Sequence, residues 1–366
     1  MNNPFIAVVI FIIILFFYIH ITAQWKTSDD LEIYESDYES PAHLQEVCSI
    51  KQPVVFKHLS KMSTQDKTQS IEPFFERFQA ANFEKYDNLD IRVKDIKDYL
   101  AGTPGVDFVP ISLRSARRLL KTDTKSQYFS ENNHDFLEES GLDRVSAALD
   151  PVLKPPLSIY KKYDIILGSP LVATPLRYHL ESHRFLAITR GKIRVKLCPP
   201  KYGRILPQIA DYENYEFVSP VNPWTNANAN IKDKDKAKDK DKTHENILQK
   251  IKFLEAEVHS GDILFLPPYW WYSISFSGDA ETTVASLVYD IAPNILAQSK
   301  HWALYYLQQS NIKNRPVKTI VAALDSEPEK EASQYNPEKE REDPVEEEKR
   351  QGNKEIVTNA GTYVID

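Results

Sequence analysis

Cysteine is nearly missing from this chain. Of 366 residues only Cys48 and Cys198 are cysteine, and they stand far apart. They supply neither a disulfide framework nor a zinc site. No Asn-x-Ser/Thr acceptor occurs either, although Asn is common; both absences lean against a lumenal or extracellular body. No basic stripe with interleaved aromatics is present, so a nucleic-acid partner is not expected. The net charge of −7 says little about partners, because lysine and acid runs in the tails supply much of it. Glycine is scarce at 10 residues, whereas 19 Tyr, 17 Phe and 5 Trp offer ample material for a core. A chain of this length holds one large domain or two small ones, stable without covalent staples.

What the chain does have is a long apolar run. From Pro4 to Ala23 the only polar side chains are Tyr18, His20 and Thr22, about the 20 residues that a helix needs to cross a bilayer. Tyr18 and Trp25 stand where aromatics favour the membrane interface. A cleaved signal peptide would place Ile21 and Ala23 at its −3 and −1 positions. However, MNNP carries no Lys or Arg, and the run exceeds the usual signal core of roughly 7–15 residues. The sequence therefore predicts a single-pass anchor over residues 1–25 that meets the membrane through residues 4–23. Lys26, the only nearby basic side chain, tilts faintly towards a cytoplasmic body but leaves the side of the membrane open.

Residues 26–40 are acidic and polar and read as a linker. Residues 41–150 read as a helical and mixed subdomain: PAHLQEVC, IEPFFERFQAANF, IKDYL and SLRSARRLL have helical spacing, and QPVVFKHL suits a buried strand. From about Pro155 the period becomes strand-like. Ile193, Val195 and Leu197 alternate with Lys192, Arg194 and Lys196, and FLEAEV, ILFLPP, WWYSISF and TTVASLVYD follow between turns. Short strands in series predict a sandwich or barrel over 151–312. Residues 225–243, rich in Lys and Asp, read as a solvated loop insertion. Residues 294–309 read as an amphipathic helix with an aromatic stripe, suited to the core or to a homodimer seam. Residues 313–366 read as a charged, disordered tail.

Two segments carry a resemblance. SPLVATPLRYHLESHRFLAITRGKIRVKLCPP and EVHSGDILFLPPYWWYSISF resemble, in order, the signature of the JmjC/cupin-like family. There a Thr-Pro-Leu-His-Tyr-Asp run precedes a basic strand and Pro-Pro, and a Pro-Gly-Asp, Ile-Pro, Trp-Trp-His segment follows. The N-terminal runs near residues 50 and 130 are also similar, so the likeness spans about residues 36–312. PPYWWYSI is similar to cupin-like proteins of large algal DNA viruses. The resemblance implies an α+β, mainly β fold: a double-stranded β-helix (cupin, or jelly-roll) barrel with an N-terminal helical subdomain, here preceded by one transmembrane helix.

Active members of that family hold Fe(II) through His-x-Asp and a distant His, leaving sites open for 2-oxoglutarate and oxygen. In this chain Arg177 stands at the first His position, His179 at the Asp position and Tyr272 at the distal His position. Guanidinium has no lone pair to donate and stays charged. A phenol ligates only after losing its proton, and the one anionic ligand is missing. Thr174 and Lys192 do match positions where the family anchors the co-substrate carboxylate. A cup of Thr174, Arg177, His179, Lys192 and Tyr272 could therefore bind a small carboxylate or other anion without metal. The plainer alternative is a plug, with Arg177 and Tyr272 filling the space as a hydrogen-bonded or cation–π pair and Lys192 on an exposed face beside Arg194 and Lys196. A rebuilt metal site from His179, Glu181 and His183 needs one continuous strand, whereas the family's matching segment bends there.

The expected function is thus a membrane-anchored, non-enzymatic binding or structural module, with no catalytic residue, metal or cofactor. The alternative is an Fe(II)/2-oxoglutarate-dependent oxygenase with a remodelled site. An anchored virion or organelle-membrane component is compatible with the first.

Overall fold

Strand-forming and helix-forming stretches separate along the chain as their side-chain periods direct. The computed structural model describes residues 4–57, 72–80, 83–102, 107–224, 238–278 and 281–311. These all fall within one unit of the chain, Met1–Val321. Residues 225–237 of the charged insertion and the tail from 312 onward lie outside the described residues.

The first half carries α1 (Pro4–Gln24), β1 (Tyr34–Asp37), α2 (Pro41–Ser49), β2 (Val54–Lys57), α3 (Glu72–Ala80), β3 (Asp90–Asp95), α4 (Ile96–Leu100), β4 (Val109–Ser112), α5 (Leu113–Thr122), β5 (Tyr128–Ser130), α6 (His134–Ser140), α7 (Leu142–Ala147) and α8 (Asp150–Leu153). The second half carries β6 (Ser158–Gly168), β7 (Leu176–Tyr178), β8 (His183–Arg190), β9 (Lys192–Cys198), β10 (Ile209–Asp211), β11 (Glu216–Ser219), α9 (Lys238–Leu248), β12 (Leu254–His259), β13 (Ile263–Leu266), β14 (Trp271–Phe276), β15 (Thr283–Ile291), α10 (Ala292–Ala297) and α11 (Ser299–Asn311).

Helix α1 is exposed from Phe5 to His20 and is long and apolar enough to cross a membrane. Its C-terminal end is fastened to the body. Lys51 Nζ donates to the carbonyls of Ala23 at 2.8 Å and Gln24 at 3.3 Å, placing a cation at the negative end of the helix dipole. Trp25 Nε1 donates to the Ala297 carbonyl of α10 at 3.3 Å.

The strands form two sheets, and the first draws on both halves of the chain. One runs β1-β2-β13-β8-β15-β6-β5-β3-β4 and the other β10-β11-β7-β14-β9-β12. Strands β6, β8, β13 and β15 of the first thus lie with β7, β9, β12 and β14 of the second in a jelly-roll-like arrangement. The alternation of each strand decides what it touches. In β8, Leu186 and Ile188 join Ile193, Val195, Ile274 and Val284 in the core between the sheets. Their neighbours Phe185 and Ala187 point the other way, into a second core with Phe74, Phe78, Leu113 and Phe136 from the N-terminal helices. Both faces being covered, β8 reads as a near-continuous apolar run.

Strand β9 behaves differently because its outer face is open. Ile193, Val195 and Leu197 are buried inward, while Lys192, Arg194 and Lys196 face out. There Lys192 pairs with Glu257 at 3.1 Å and Arg194 with Glu255 at 3.7 Å across β12. In β14 the same period sends Tyr272 inward with Trp270, Ile274 and Phe276. Trp271 turns outward to pack with Leu176, Cys198 and Ile251.

Three local departures from the sequence expectation have tertiary causes. Tyr34–Asp37, inside the stretch read as a linker, is a strand because it pairs in parallel with Val54–Lys57. Helix α9 forms at the end of the charged insertion, where Ile247 and Leu248 pack on the Trp271 cluster. The helix expected over 294–309 is broken at Gln298. There the buried Asn294 is held by Leu180 and Asp290, and the Gln298 amide donates to the Tyr269 hydroxyl.

Candidate functional site

The two sheets enclose a cavity of about 330 Å³. Strand β7 is short, only Leu176–Tyr178, and it pairs with β11 on one side and with β14 at Arg177 and Tyr272 on the other. Directly opposed residues share a face of the sheet, so Arg177 and Tyr272 look into the same cup. The guanidinium lies 5.5 Å from the centre of the Tyr272 ring, within cation–π range.

Arg177 is not free to leave this position. Its Nη2 and Nη1 bind the two oxygens of Glu131 at 2.6 and 2.7 Å, the bidentate fork that makes such pairs strong. Glu131 follows β5 in the other sheet, so the pair ties the sheets together. Beneath it lies Lys94 of β3, whose side chain is wholly buried; it binds Glu131 at 3.2 Å and Glu216 of β11 at 2.7 Å. Glu216 accepts further bonds from Asn132 at 2.6 Å and the Tyr99 hydroxyl at 2.9 Å. Two cations thus meet two carboxylates in one closed group.

Burial pushes the Glu131 carboxyl up, but Arg177 and Lys94 outweigh it and hold it below the ordinary glutamate range. Burial also weakens the charged form of Lys94, yet Glu216, Tyr99 and Glu131 carry it well above its ordinary value. Glu131, Lys94 and Arg177 are therefore ionised at neutral pH.

His179 is 4% exposed. Its Nε2 lies 3.1 Å from the Leu266 carbonyl, which can only accept, so that nitrogen carries the proton and Nδ1 is left as a bare acceptor. Burial first, and then the nearby Arg184, lower its pKa well below the usual value; the ring is neutral. Tyr272 stands edge-on to it, with ring centres 6.0 Å apart.

Of the five residues read as a cup in the sequence, Arg177, His179 and Tyr272 come together on the cavity wall, where Glu181 also lies. The other two lie elsewhere. Thr174 is buried behind β14, where its hydroxyl accepts from Ile274 N at 2.9 Å and its N–H donates to Ile274 O at 2.8 Å. Lys192 sits on the outward face of β9 beside Glu257, because one step along a strand reverses the side chain. His179, Glu181 and His183 do not share a strand face, since β7 ends at Tyr178 and β8 begins at His183. Among the described residues no group of three or more His, Cys, Asp or Glu could hold a metal ion.

Residues that the sequence reading passed over complete the site. Glu131, Lys94 and Glu216 are separated from their partners by 37 to 122 positions, so no local period exposes them. Trp302 and Tyr305 of α11 also line the cavity, which gives the predicted aromatic stripe a place within one chain.

A jelly-roll-like fold of two sheets around a polar cup, backed by a helical N-terminal part, defines a cupin-type protein. Residues 20–294 match the family model described as the cupin-like domain. The match covers more than half of the chain, and the protein belongs to that family. No curated protein matches the sequence.

Proposed function

We propose that this protein is a membrane-anchored cupin-like module whose cup binds a small ligand and does no iron chemistry. The observation that carries this reading is the position of Arg177. At the place that the family resemblance assigns to the first iron ligand, a guanidinium is clamped by both oxygens of Glu131 and covered by Tyr272. It has no lone pair to offer, and its fork already occupies both oxygens of the nearest carboxylate. His179 offers one nitrogen, and Tyr272 replaces the distal imidazole. The set does not fit two imidazoles and a carboxylate. Cup binding then rests on Arg177, His179 and Tyr272.

The test uses the full chain purified in detergent. Bound iron, zinc and manganese are expected well below one per chain, and melting should not respond to Fe(II) or Mn(II) with 2-oxoglutarate. Stoichiometric metal, or a metal-dependent stabilisation lost in His179→Ala, would sink this reading in favour of a remodelled oxygenase. The anchor is supported by the exposed apolar helix α1. Carbonate extraction should leave the intact chain in the membrane pellet; a soluble product beginning at Gln24 would mean a cleaved signal instead.

A further inference from the structure

The cup holds an unusual number of polar atoms that have no partner. Arg177 Nε, Arg184 Nε and Trp302 Nε1 are buried donors without an acceptor. His179 Nδ1 and Glu181 Oε2 are buried acceptors without a donor, and the Tyr215 hydroxyl is unpartnered as well. All six residues line the same 330 Å³ cavity. An unsatisfied buried polar group costs about 1–3 kcal/mol, and native structures keep few of them. Their convergence on one cavity marks a place for a ligand that both donates and accepts.

Charge narrows the class. Arg177 is neutralised by Glu131, and Arg184 binds Glu181 Oε1 at 3.2 Å. A free anion would have to compete with these carboxylates for their cations. The open valences are mixed single donors and acceptors, which suit hydroxyl groups, since each hydroxyl does both. The aromatic rim narrows it further. Trp302 stacks on Tyr215 with ring centres 5.0 Å apart and meets Tyr160 edge-on at 5.2 Å. Their polar ends, the indole N–H and the Tyr215 hydroxyl, have no partner and suit hydroxyls, while the rings add apolar surface for the C–H side of a saturated ring. The volume lies at the low end of the roughly 300–1,000 Å³ usual for small-ligand sites.

We propose that this cavity binds a neutral polyhydroxylated ring, a monosaccharide or one sugar unit of a glycan, held between the aromatic rim and the unpaired polar atoms. This rests on the reading of the cup as a binding module, and it names the ligand class.

The full chain, in micelles of a detergent without a sugar headgroup and with EDTA present, is tested by saturation-transfer difference NMR. The probes are D-glucose, D-galactose, D-mannose, L-fucose, L-rhamnose, D-xylose and N-acetyl-D-glucosamine, with succinate and uridine alongside. At least one sugar should give signal, strongest at its ring C–H protons. Glu181→Gln and Trp302→Ala should each weaken its binding by about tenfold or more, the loss of about 1.4 kcal/mol, and Trp302→Phe should weaken it less than Trp302→Ala. Lys192→Ala, on the outward face, should leave it unchanged. Unaltered melting temperatures show that the variants are folded; if Trp302→Ala melts early, the comparison rests on Trp302→Phe and Glu181→Gln. Silence from every sugar, equal binding by the folded variants, or signal from succinate or uridine alone would overturn the proposal. EDTA keeps this outcome separate from the metal measurement, which stands or falls independently.

Discussion

Glu131→Gln is expected to destabilise the fold by about 3–5 kcal/mol, the cost of leaving a buried ion without its partner. Arg177 meets both oxygens of Glu131, and Lys94 meets one of them. Replacing the carboxylate with an amide removes one of two negative charges facing two positive ones, while Glu216 still holds Lys94 at 2.7 Å. Arg177 then keeps its burial and loses its counter-charge. Urea unfolding at neutral pH measures the loss. The paired variant Glu131→Leu with Arg177→Met removes both charges and replaces them with apolar volume, which is often neutral or stabilising. It should recover most of the stability lost by Glu131→Gln. A single variant that loses less than about 1 kcal/mol, in the range of an exposed ion pair, would show that the clamp does not tie the sheets together.

His183→Phe should make the protein resistant to acid. Burial first, and then the Lys51 charge, lower the His183 pKa to about 3, against about 6.5 for a free imidazole. The folded state refuses a proton that the unfolded chain accepts. Stability is therefore fully present above about pH 6.5 and is lost as the pH falls towards 3. At pH 4 the difference is about 2.5 units, on the order of 3 kcal/mol. Phenylalanine keeps the ring between Phe185 and Phe265, whose centres lie 6.2 and 5.6 Å away. Ser182, which faces His183 Nδ1 at 3.0 Å, retains its bond to the Tyr289 carbonyl at 3.1 Å. Asp290 titrates in the opposite sense. Burial raises its carboxyl to about 7, so its contribution fades as the pH rises from about 4 to 7. The wild-type curve mixes the two, and the difference between wild type and His183→Phe isolates the histidine. Urea unfolding at pH 7 and pH 4 should show the variant losing about 3 kcal/mol less on acidification; equal losses would mean that His183 takes up its proton within the fold.

The consequences of these groups for the cup are linked. The clamp that carries the stability prediction also holds the guanidinium at the resemblance-assigned iron position.

Much of this was legible in the sequence, for one physical reason: a strand alternates. Period two in KIRVKLC placed Ile193, Val195 and Leu197 inside and Lys192, Arg194 and Lys196 outside. The same period in WWYSISF set Trp271 on one face and Tyr272 on the other. The apolar run of α1 needed no partner to be recognised, and the order of Gly, Pro and Trp positions carried the family. Strands β3, β4, β10 and β11 were not visible, being only three to six residues long, and β1 became a strand only by pairing with β2. What the tertiary structure alone decided is the cup. Lys94, Glu131, Arg177 and Glu216 meet across two sheets from distant positions, and the break at Gln298 arises from contacts made far along the chain. The sequence named Arg177, His179 and Tyr272; only packing put a carboxylate against the guanidinium and left donors and acceptors unpartnered around it.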